Sequence, residues 1–224
     1  MVVLVSGFTG SAARASELRG VVRAGENVDP LPALSVAVDA WICGKGGSTP
    51  DPRLVIGSDG ALANAIVTIV DPPEAPPIDA APSAVIDQLG CVFRPHVVLL
   101  APGQELSVLN SDRLLHSFRT RSRKNPVLNK AQTHGTVIPV RFDQPEIIKV
   151  ECGVHYWMSA VIAIASHAFT AVTSDDGAFA FSGLPVGTYT LELWHETLGV
   201  KRMTAPVSDD GRVVVIRWDA KPLP

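Results

Sequence analysis

Glycine and proline occur along the whole length of this 224-residue sequence, 18 of each, and they argue against an architecture of long helices. Proline removes a backbone donor and glycine loses much conformational entropy on folding, so both destabilise a helix interior. No stretch has the 3.6-residue apolar period of an amphipathic helix, whereas several short stretches alternate between apolar and polar residues. The sequence therefore predicts an all-β fold, with short strands at the spacing typical of a β-sandwich.

The apolar pattern also gives three local predictions. Residues 34–43 alternate, which predicts a strand with one buried face. Residues 97–100 and 106–109 flank Ala-Pro-Gly-Gln, which predicts a β-hairpin. Residues 119–136 are polar and basic and have no period, so we expect a long loop there.

Charge and motifs exclude several classes of function. The formal net charge of −3 gives no global electrostatic basis for binding nucleic acid or a membrane surface. The apolar run at the N-terminus is too short to span a bilayer, and no other apolar stretch approaches the length that a transmembrane segment needs. The sequence has no nucleophile elbow, no His-Glu-x-x-His motif and no glycine-rich phosphate loop. We therefore expect a protein that is not an enzyme and that has no transmembrane segment.

The N-terminal residues predict export. A short apolar run over residues 1–10 precedes Ala13-Arg-Ala15, and this small-x-small pattern resembles the later part of a secretory signal peptide with cleavage after Ala15. The alternative is a frayed terminal strand. Export would place the protein in the periplasm or outside the cell. The odd number of cysteines, three, then predicts one disulfide and one thiol kept for another purpose.

Residues 152–158, Cys-Gly-Val-His-Tyr-Trp-Met, are the strongest functional signal. Residues 147–152 alternate, so Cys152 points into the core at the end of a predicted strand, and another apolar strand follows the loop. Soft sulfur ligands favour Cu(I), while imidazole also accommodates Cu(II). The motif therefore predicts copper ligation by Cys152, His155 and, as a weak axial ligand, Met158. The alternative is a core cysteine beside an incidental histidine.

A trigonal copper site of this kind needs a second histidine, and His116 is the candidate. It ends the segment Asn110-Ser-Asp-Arg-Leu-Leu-His116, after a predicted strand and before a predicted loop. We expect Ser117 to bond across to the Cys152 loop and hold the two ligand segments together. The alternative is a histidine that is merely packed among apolar neighbours.

These segments resemble the cupredoxins, a family of type 1 copper proteins. Residues 152–158 are similar to the short ligand loop of amicyanin, and residues 110–118 are similar to the first-histidine segment of plastocyanins and pseudoazurins. Residues 95–110 resemble the strand pair that leads into that segment. The resemblance implies a Greek-key β-sandwich with one copper ion near one end. The implied ligands are His116, Cys152, His155 and Met158.

The C-terminal part resembles a different module, the carboxypeptidase regulatory-like β-sandwich. The resemblance rests on Thr-x2-Asp-Gly-x-Phe at residues 173–179 and on Leu-Pro-x-Gly-Thr-Tyr at residues 184–189. The predicted organisation is a signal peptide over 1–15, a β segment with a proline-rich connector over 16–80, the cupredoxin core over 81–166 and the regulatory-like module over 167–224.

If Cys152 is the copper thiolate, Cys43 and Cys91 remain as the disulfide pair. Such a bridge would stabilise the fold by roughly 4 kcal/mol in the chain-entropy account and would attach the N-terminal segment to the sandwich. Cys91 with His96, five residues later, is an alternative second metal site.

The copper ligand set predicts single-electron transfer to and from a redox partner protein, with the metal alternating between Cu(I) and Cu(II). The alternatives are storage or delivery of copper, and a scaffold or adhesion protein in which the motif is accidental. Because His155 and Trp157 share a loop, we expect an imidazole edge near the surface. The basic stretch after His116 predicts a patch that orients an acidic partner, or only a solvated loop. Its members are Arg119, Arg121, Arg123 and Lys124.

Overall fold

The computed structural model describes residues 16–44, 46–72, 74–79 and 83–219, so the predicted signal peptide lies outside the described residues. Strands dominate the described residues, and their two helical elements are single turns, α1 (Ala40–Cys43) and a 3₁₀ turn at Ser58–Gly60. The prediction of an all-β fold is confirmed. Among these residues no helix is both long and apolar enough to cross a membrane.

The N-terminal part of the chain supplies strands to two places. Its strands are β1 (Ser16–Ala24), β2 (Leu34–Ser35), β3 (Ser48–Thr49) and β4 (Ile66–Val70). β2 and β3 pair with each other on either side of α1. β1 and β4 instead join strands from the C-terminal part of the chain.

The middle of the chain forms a β-sandwich, called the first sandwich below. Its strands are β5 (Ala84–Gln88), β6 (Phe93–Arg94), β7 (Val97–Leu100), β8 (Glu105–Asn110), β9 (His116–Arg121), β10 (Asn129–Gln132), β11 (Val137–Arg141), β12 (Glu146–Glu151) and β13 (Ser159–Ile164). One sheet has the order β10-β9-β12-β13-β7 and the other has the order β11-β8-β5-β6. Alternate side chains of both sheets, such as Ile86, Leu106 and Ile148, share one core.

The C-terminal part forms the second sandwich together with β1 and β4. Its own strands are β14 (Thr170–Val172), β15 (Ala178–Leu184), β16 (Gly187–His195), β17 (Gly199–Val207) and β18 (Val213–Trp218). The two sheets have the orders β15-β1-β18 and β14-β4-β16-β17. β1 and β4, which come from the predicted N-terminal segment, therefore share two sheets with strands of the predicted C-terminal module. Pairing between strands so far apart in the sequence produces no local pattern of apolar residues that would identify the partners.

The two sandwiches pack against each other through one face of the five-stranded sheet. Val161 and Ala163 of β13 and Val97 of β7 contact Ile66 of β4 in a small buried cluster. Other side chains of β13, including Ile162, face the core of the first sandwich. β13 is thus covered on both sides, as its uninterrupted apolar sequence predicts.

Two local predictions in the first sandwich are wrong. β7 pairs with β13, and β8 pairs with β5 and β11, so residues 101–104 cross between the two sheets and do not close a hairpin. Residues 119–136 are not a long loop, because β9 and β10 pair antiparallel within them. β10 lies at the edge of its sheet and is mostly exposed, so it lacks the apolar alternation that would mark it as a strand.

Residues 34–44, called the cap below, differ from the strand that the sequence predicts. Only Leu34–Ser35 is a strand, and the chain then turns at Asp39, whose left-handed backbone (φ 51°) leads into α1. Val36 and Cys43 are buried against the core of the first sandwich. The apolar residues of the cap therefore reflect this packing and not a strand.

Candidate metal centre

The loop after β12 carries three of the four predicted ligands. β12 places Ile148 and Val150 in the core, and Cys152, the next inward residue, is buried at the end of the strand. The N–H of Cys152 donates to the carbonyl of Met158 at 3.2 Å, and the N–H of Met158 donates to the carbonyl of His155 at 2.9 Å. These two bonds fold the loop tightly at one end of the first sandwich.

β9 brings His116 beside this loop because β9 pairs antiparallel with β12. The N–H of Ser117 lies 3.3 Å from Cys152 Sγ, and the Ser117 hydroxyl accepts a hydrogen bond from the N–H of Gly153 at 2.6 Å. The predicted bond from Ser117 to the Cys152 loop is confirmed. It joins two chain segments that are 36 residues apart.

Three potential donor atoms converge between the loop and β9. His155 Nδ1 lies 2.9 Å from His116 Nδ1, and Cys152 Sγ lies 3.8 Å from His116 Nδ1. One atom from each of the three residues lies within 4.8 Å of the others. Bonds of about 2.0 Å to nitrogen and about 2.3 Å to sulfur can span these separations from a single ion. The donor set, two imidazoles and a thiolate, fits copper.

A carboxylate contacts the outer nitrogen of each histidine. His116 Nε2 lies 2.9 Å from Asp112 Oδ2, and His155 Nε2 lies 3.0 Å from Asp39 Oδ2. Since a carboxylate can only accept, both Nε2 atoms are the donors in these bonds. The outer bonds therefore fix both imidazoles with Nδ1 directed inward, which is how protein metal sites orient histidine ligands.

The disulfide of the chain lies next to these carboxylates. Cys43 and Cys91 are bonded to each other, and Cys152 is the free cysteine, so the predicted pairing is confirmed. The N–H of Cys91 donates to Asp112 Oδ2 at 2.8 Å, and the carbonyl of Cys91 accepts a bond from Trp157 Nε1 at 3.2 Å. The disulfide thus joins the cap to Cys91, whose N–H is hydrogen-bonded to Asp112.

The environment of Cys152 favours the thiolate. Burial by itself raises the pKa of this thiol, but the hydrogen bond with His116 and the backbone N–H groups of His155, Ser117 and Val154 outweigh burial and lower the pKa to about 6. A thiolate at neutral pH is the form that binds a metal.

His116 shows the complementary shift. Burial opposes protonation of the ring, yet the hydrogen bonds with Asp112 and Cys152 raise the pKa of His116 to about 9. A proton on Nδ1 of His116 faces Cys152 and His155, so an ion that binds all three residues displaces this proton.

Met158 ends the loop, where its backbone bonds to Cys152 and to His155. It is 1% exposed and packs in the core of the first sandwich, where the loop bond to His155 holds its backbone. Its role as an axial ligand stays a prediction.

The prediction of an exposed imidazole edge is wrong. His155 is 0% exposed, because the cap covers the edge of the ring that carries Nε2. Beside the loop, a cavity of about 710 Å³ is lined by Cys152, Met158 and Trp157, and also by Leu34 and Ser35 of the cap. Arg119 and Lys149 also line this cavity.

The predicted basic patch is partly neutralised. Arg121 forms an ion pair with Glu151 at 2.9 Å. The backbone N–H groups of Arg123 and Lys124 donate to Glu146, which holds the turn between β9 and β10. A steering role for this patch stays a prediction.

The alternative second metal site does not form from Cys91 and His96. Cys91 is consumed in the disulfide, and His96 Nε2 lies 2.8 Å from Glu196 Oε2 at the contact between the two sandwiches.

Sequence reasoning missed both carboxylates that contact the histidines. Asp112 precedes His116 by four residues, so an acidic residue in the segment of the first histidine was a usable signal. Asp39 is 116 residues away from His155 and lies in a segment predicted to be a strand, so no local pattern indicates it.

No known family matches the chain, and no curated protein matches it. The chain is similar in structure to a purple cupredoxin from Nitrosopumilus maritimus, with a TM-score of 0.33 and 16% identity over 37% of this chain and 99% of that one. It is also similar to a Cu(I) amicyanin variant, with a TM-score of 0.35 and 13% identity over 44% of this chain and 98% of that one.

A copper-containing nitrite reductase from Thermus scotoductus aligns with a TM-score of 0.35 and 17% identity over 63% of this chain and 28% of that one. All three TM-scores are below 0.5. None of the three supports the resemblance of residues 167–224 to the carboxypeptidase regulatory-like module.

Proposed function

We propose that this chain binds one copper ion through His116, Cys152, His155 and Met158 and carries single electrons between redox partner proteins. The observation that carries the proposal is the convergence of two imidazole Nδ1 atoms and one thiolate, with separations of 2.9 and 3.8 Å, at a buried end of a β-sandwich. This donor set is the one that electron-transfer copper sites use.

Backbone bonds and core packing hold these donors in place. Copper supplies a one-electron couple between Cu(I) and Cu(II). The backbone N–H groups of Ser117 and His155 point at the Cys152 sulfur at 3.3 and 3.4 Å and help to hold the thiolate. Donors fixed by backbone bonds and core packing keep nearly the same positions in both oxidation states, which keeps the rearrangement during electron transfer small.

Burial of the donors favours transfer of electrons over catalysis or release of copper. Both histidines are fully buried, and Cys152 and Met158 are nearly so. A catalytic metal site keeps an open position for substrate, whereas these four donors would fill the coordination shell. The disulfide is consistent with an oxidising compartment and supports our proposal that the protein is exported.

A visible spectrum of the copper-loaded protein tests the proposal. We expect an intense thiolate-to-copper charge-transfer band and one copper per chain. Cys152→Ser should abolish the band because a hydroxyl cannot replace the thiolate, whereas the control His96→Gln should keep it. A coloured Cys152→Ser protein would contradict the ligand set. Rapid loss of Cu(I) to a weak chelator, without a reversible potential, would instead indicate copper storage or delivery.

A further inference from the structure

The carboxylate of Asp39 covers the outer edge of His155 and does not cap the helix that follows it. Its carboxylate lies 3.0 Å from His155 Nε2, and the imidazole is 0% exposed. Asp39 occupies the position before α1 where an aspartate usually caps the helix, yet its side chain makes no capping hydrogen bond. The carboxylate is directed at His155 instead.

The backbone of Asp39 is held in a conformation that aims this side chain. Its φ of 51° and ψ of 33° lie in the left-handed region, which is unfavourable for most residues that carry a side chain. The carbonyl of Asp39 accepts bonds from the N–H groups of Ile42 and Cys43, both at 2.9 Å. These two bonds help to hold the backbone of Asp39 in this conformation, which aspartate enters more readily than most residues that carry a side chain.

The disulfide ties the cap to the opposite side of the site. Cys43 ends α1, four residues after Asp39, and is bonded to Cys91. Cys91 in turn donates to Asp112, the carboxylate that contacts His116. One covalent link therefore connects the segments that orient the two histidines.

We infer that Asp39 is a positioning residue for His155, and that the cap, anchored by the disulfide, closes the imidazole edge to solvent and to a partner protein. The inference rests on the proposed function, since it takes His155 as a copper ligand. A partner then contacts the cap or the cavity beside Cys152 and not the His155 ring. The carboxylate also makes the imidazole a stronger donor, which favours Cu(II).

Two substitutions distinguish the effect of the negative charge of Asp39 from the effect of its whole side chain. Asp39→Asn keeps a hydrogen-bond acceptor and tolerates the left-handed backbone, but removes the negative charge. Asp39→Gly removes the side chain and also tolerates that backbone. Asp59→Gly is the matched control, because Asp59 also has a positive φ, of 55°, and lies between β1 and β4 of the second sandwich.

The first measurement is made without metal. Long-range proton–nitrogen NMR of the His155 ring reports which nitrogen carries the proton and how fast that proton exchanges with solvent. We expect an Nε2–H that exchanges slowly in the natural protein and in Asp59→Gly, and at least tenfold faster in Asp39→Gly, because the bonding partner and the cover are both lost. Equal exchange in all three proteins would overturn the inference.

The second measurement uses the copper-loaded protein. We expect the reduction potential to rise in Asp39→Asn, and copper affinity to fall about 10- to 100-fold in Asp39→Gly, as is typical when an outer partner of a ligand is removed. Unchanged potential and affinity in both variants, with copper bound normally, would refute the positioning role. If the natural protein shows no thiolate-to-copper band, the proposed function fails, while the NMR measurement still decides whether Asp39 fixes the ring.

Discussion

Each sandwich contains a histidine with almost no solvent exposure, and the two differ in which ring nitrogen the protein uses. In the first sandwich, His116 is 0% exposed, and Asp112 contacts its Nε2, which leaves Nδ1 directed at other side chains. In the second sandwich, His195 is 1% exposed, and its Nδ1 accepts a hydrogen bond from the N–H of Thr197 at 3.2 Å. Nδ1 of His195 is therefore already occupied.

The pKa values of the two histidines shift in opposite directions, although both rings are buried. Burial disfavours the charged imidazolium in both places. In His195 burial outweighs the neighbouring charges and lowers the pKa to about 4, whereas in His116 the bonds with Asp112 and Cys152 overcome burial and raise the pKa to about 9. Burial alone therefore does not mark a histidine as a ligand. The distinguishing feature of His116 is a carboxylate on its Nε2 while its Nδ1 faces Cys152 and His155.

The largest effect that we expect from this comparison concerns acid stability. Because the folded pKa of His195 lies below its ordinary value of 6.5, the unfolded chain binds the proton more readily, and the free energy of unfolding falls as the pH drops from 6.5 through 4. The loss is up to about 3 kcal/mol. Denaturant unfolding at several pH values should show a shallower acid loss in His195→Gln than in the natural protein. If the free energy of unfolding falls with pH equally in both proteins, protonation of His195 does not cause the acid loss, and the prediction is wrong.

The next effect concerns the outer carboxylate of His116. Asp112→Asn keeps the shape of the side chain but weakens its bonds to His116 Nε2 and to the N–H of Cys91. We expect copper affinity to fall about 10- to 100-fold, measured by competition with a chelator. Asp176→Asn is the control, since Asp176 also accepts a backbone N–H but lies in the second sandwich. A similar loss in both variants would indicate a general effect of removing a carboxylate.

The smallest effect concerns Met158. We expect Met158→Leu to retain copper and to raise the reduction potential, because loss of a sulfur donor disfavours Cu(II), while a buried apolar side chain of similar size preserves the packing. Voltammetry and the copper content of the purified variant measure the two quantities. Complete loss of copper with the fold intact would show that Met158 holds the metal and does not only tune it.

The candidate ligands could be predicted because their signals are local. Cys152, His155 and Met158 lie within seven residues, and the alternation before them indicates that Cys152 ends a strand. The structure brings His116 to this loop, as the sequence analysis expected. Other local features, such as the buried apolar run of β13, were equally accessible.

What the sequence did not show depends on contacts between distant residues. The cap alternates like a strand because Val36 and Cys43 face a core built by residues much later in the chain. The contact of Asp39 with His155 and the pairing of β1 with β18 likewise join residues far apart. The crossing of residues 101–104 between the two sheets has the same cause. Whether these residues close a hairpin depends on the strands with which β7 and β8 pair, and the turn sequence does not specify those partners.

The position of β1 between β15 and β18 has a consequence for the order in which the protein is completed. Synthesis delivers a chain with its N-terminus first, so β1 and β4 emerge long before their partners. At about 5–20 residues per second, the last residue of the first sandwich is made about 3 to 10 seconds before β18. The first sandwich and its cysteines can assemble during that interval, while two apolar strands still have unpaired edges. The newly made chain is therefore most prone to aggregation in the second sandwich, although the candidate metal centre lies entirely in the first sandwich and its cap.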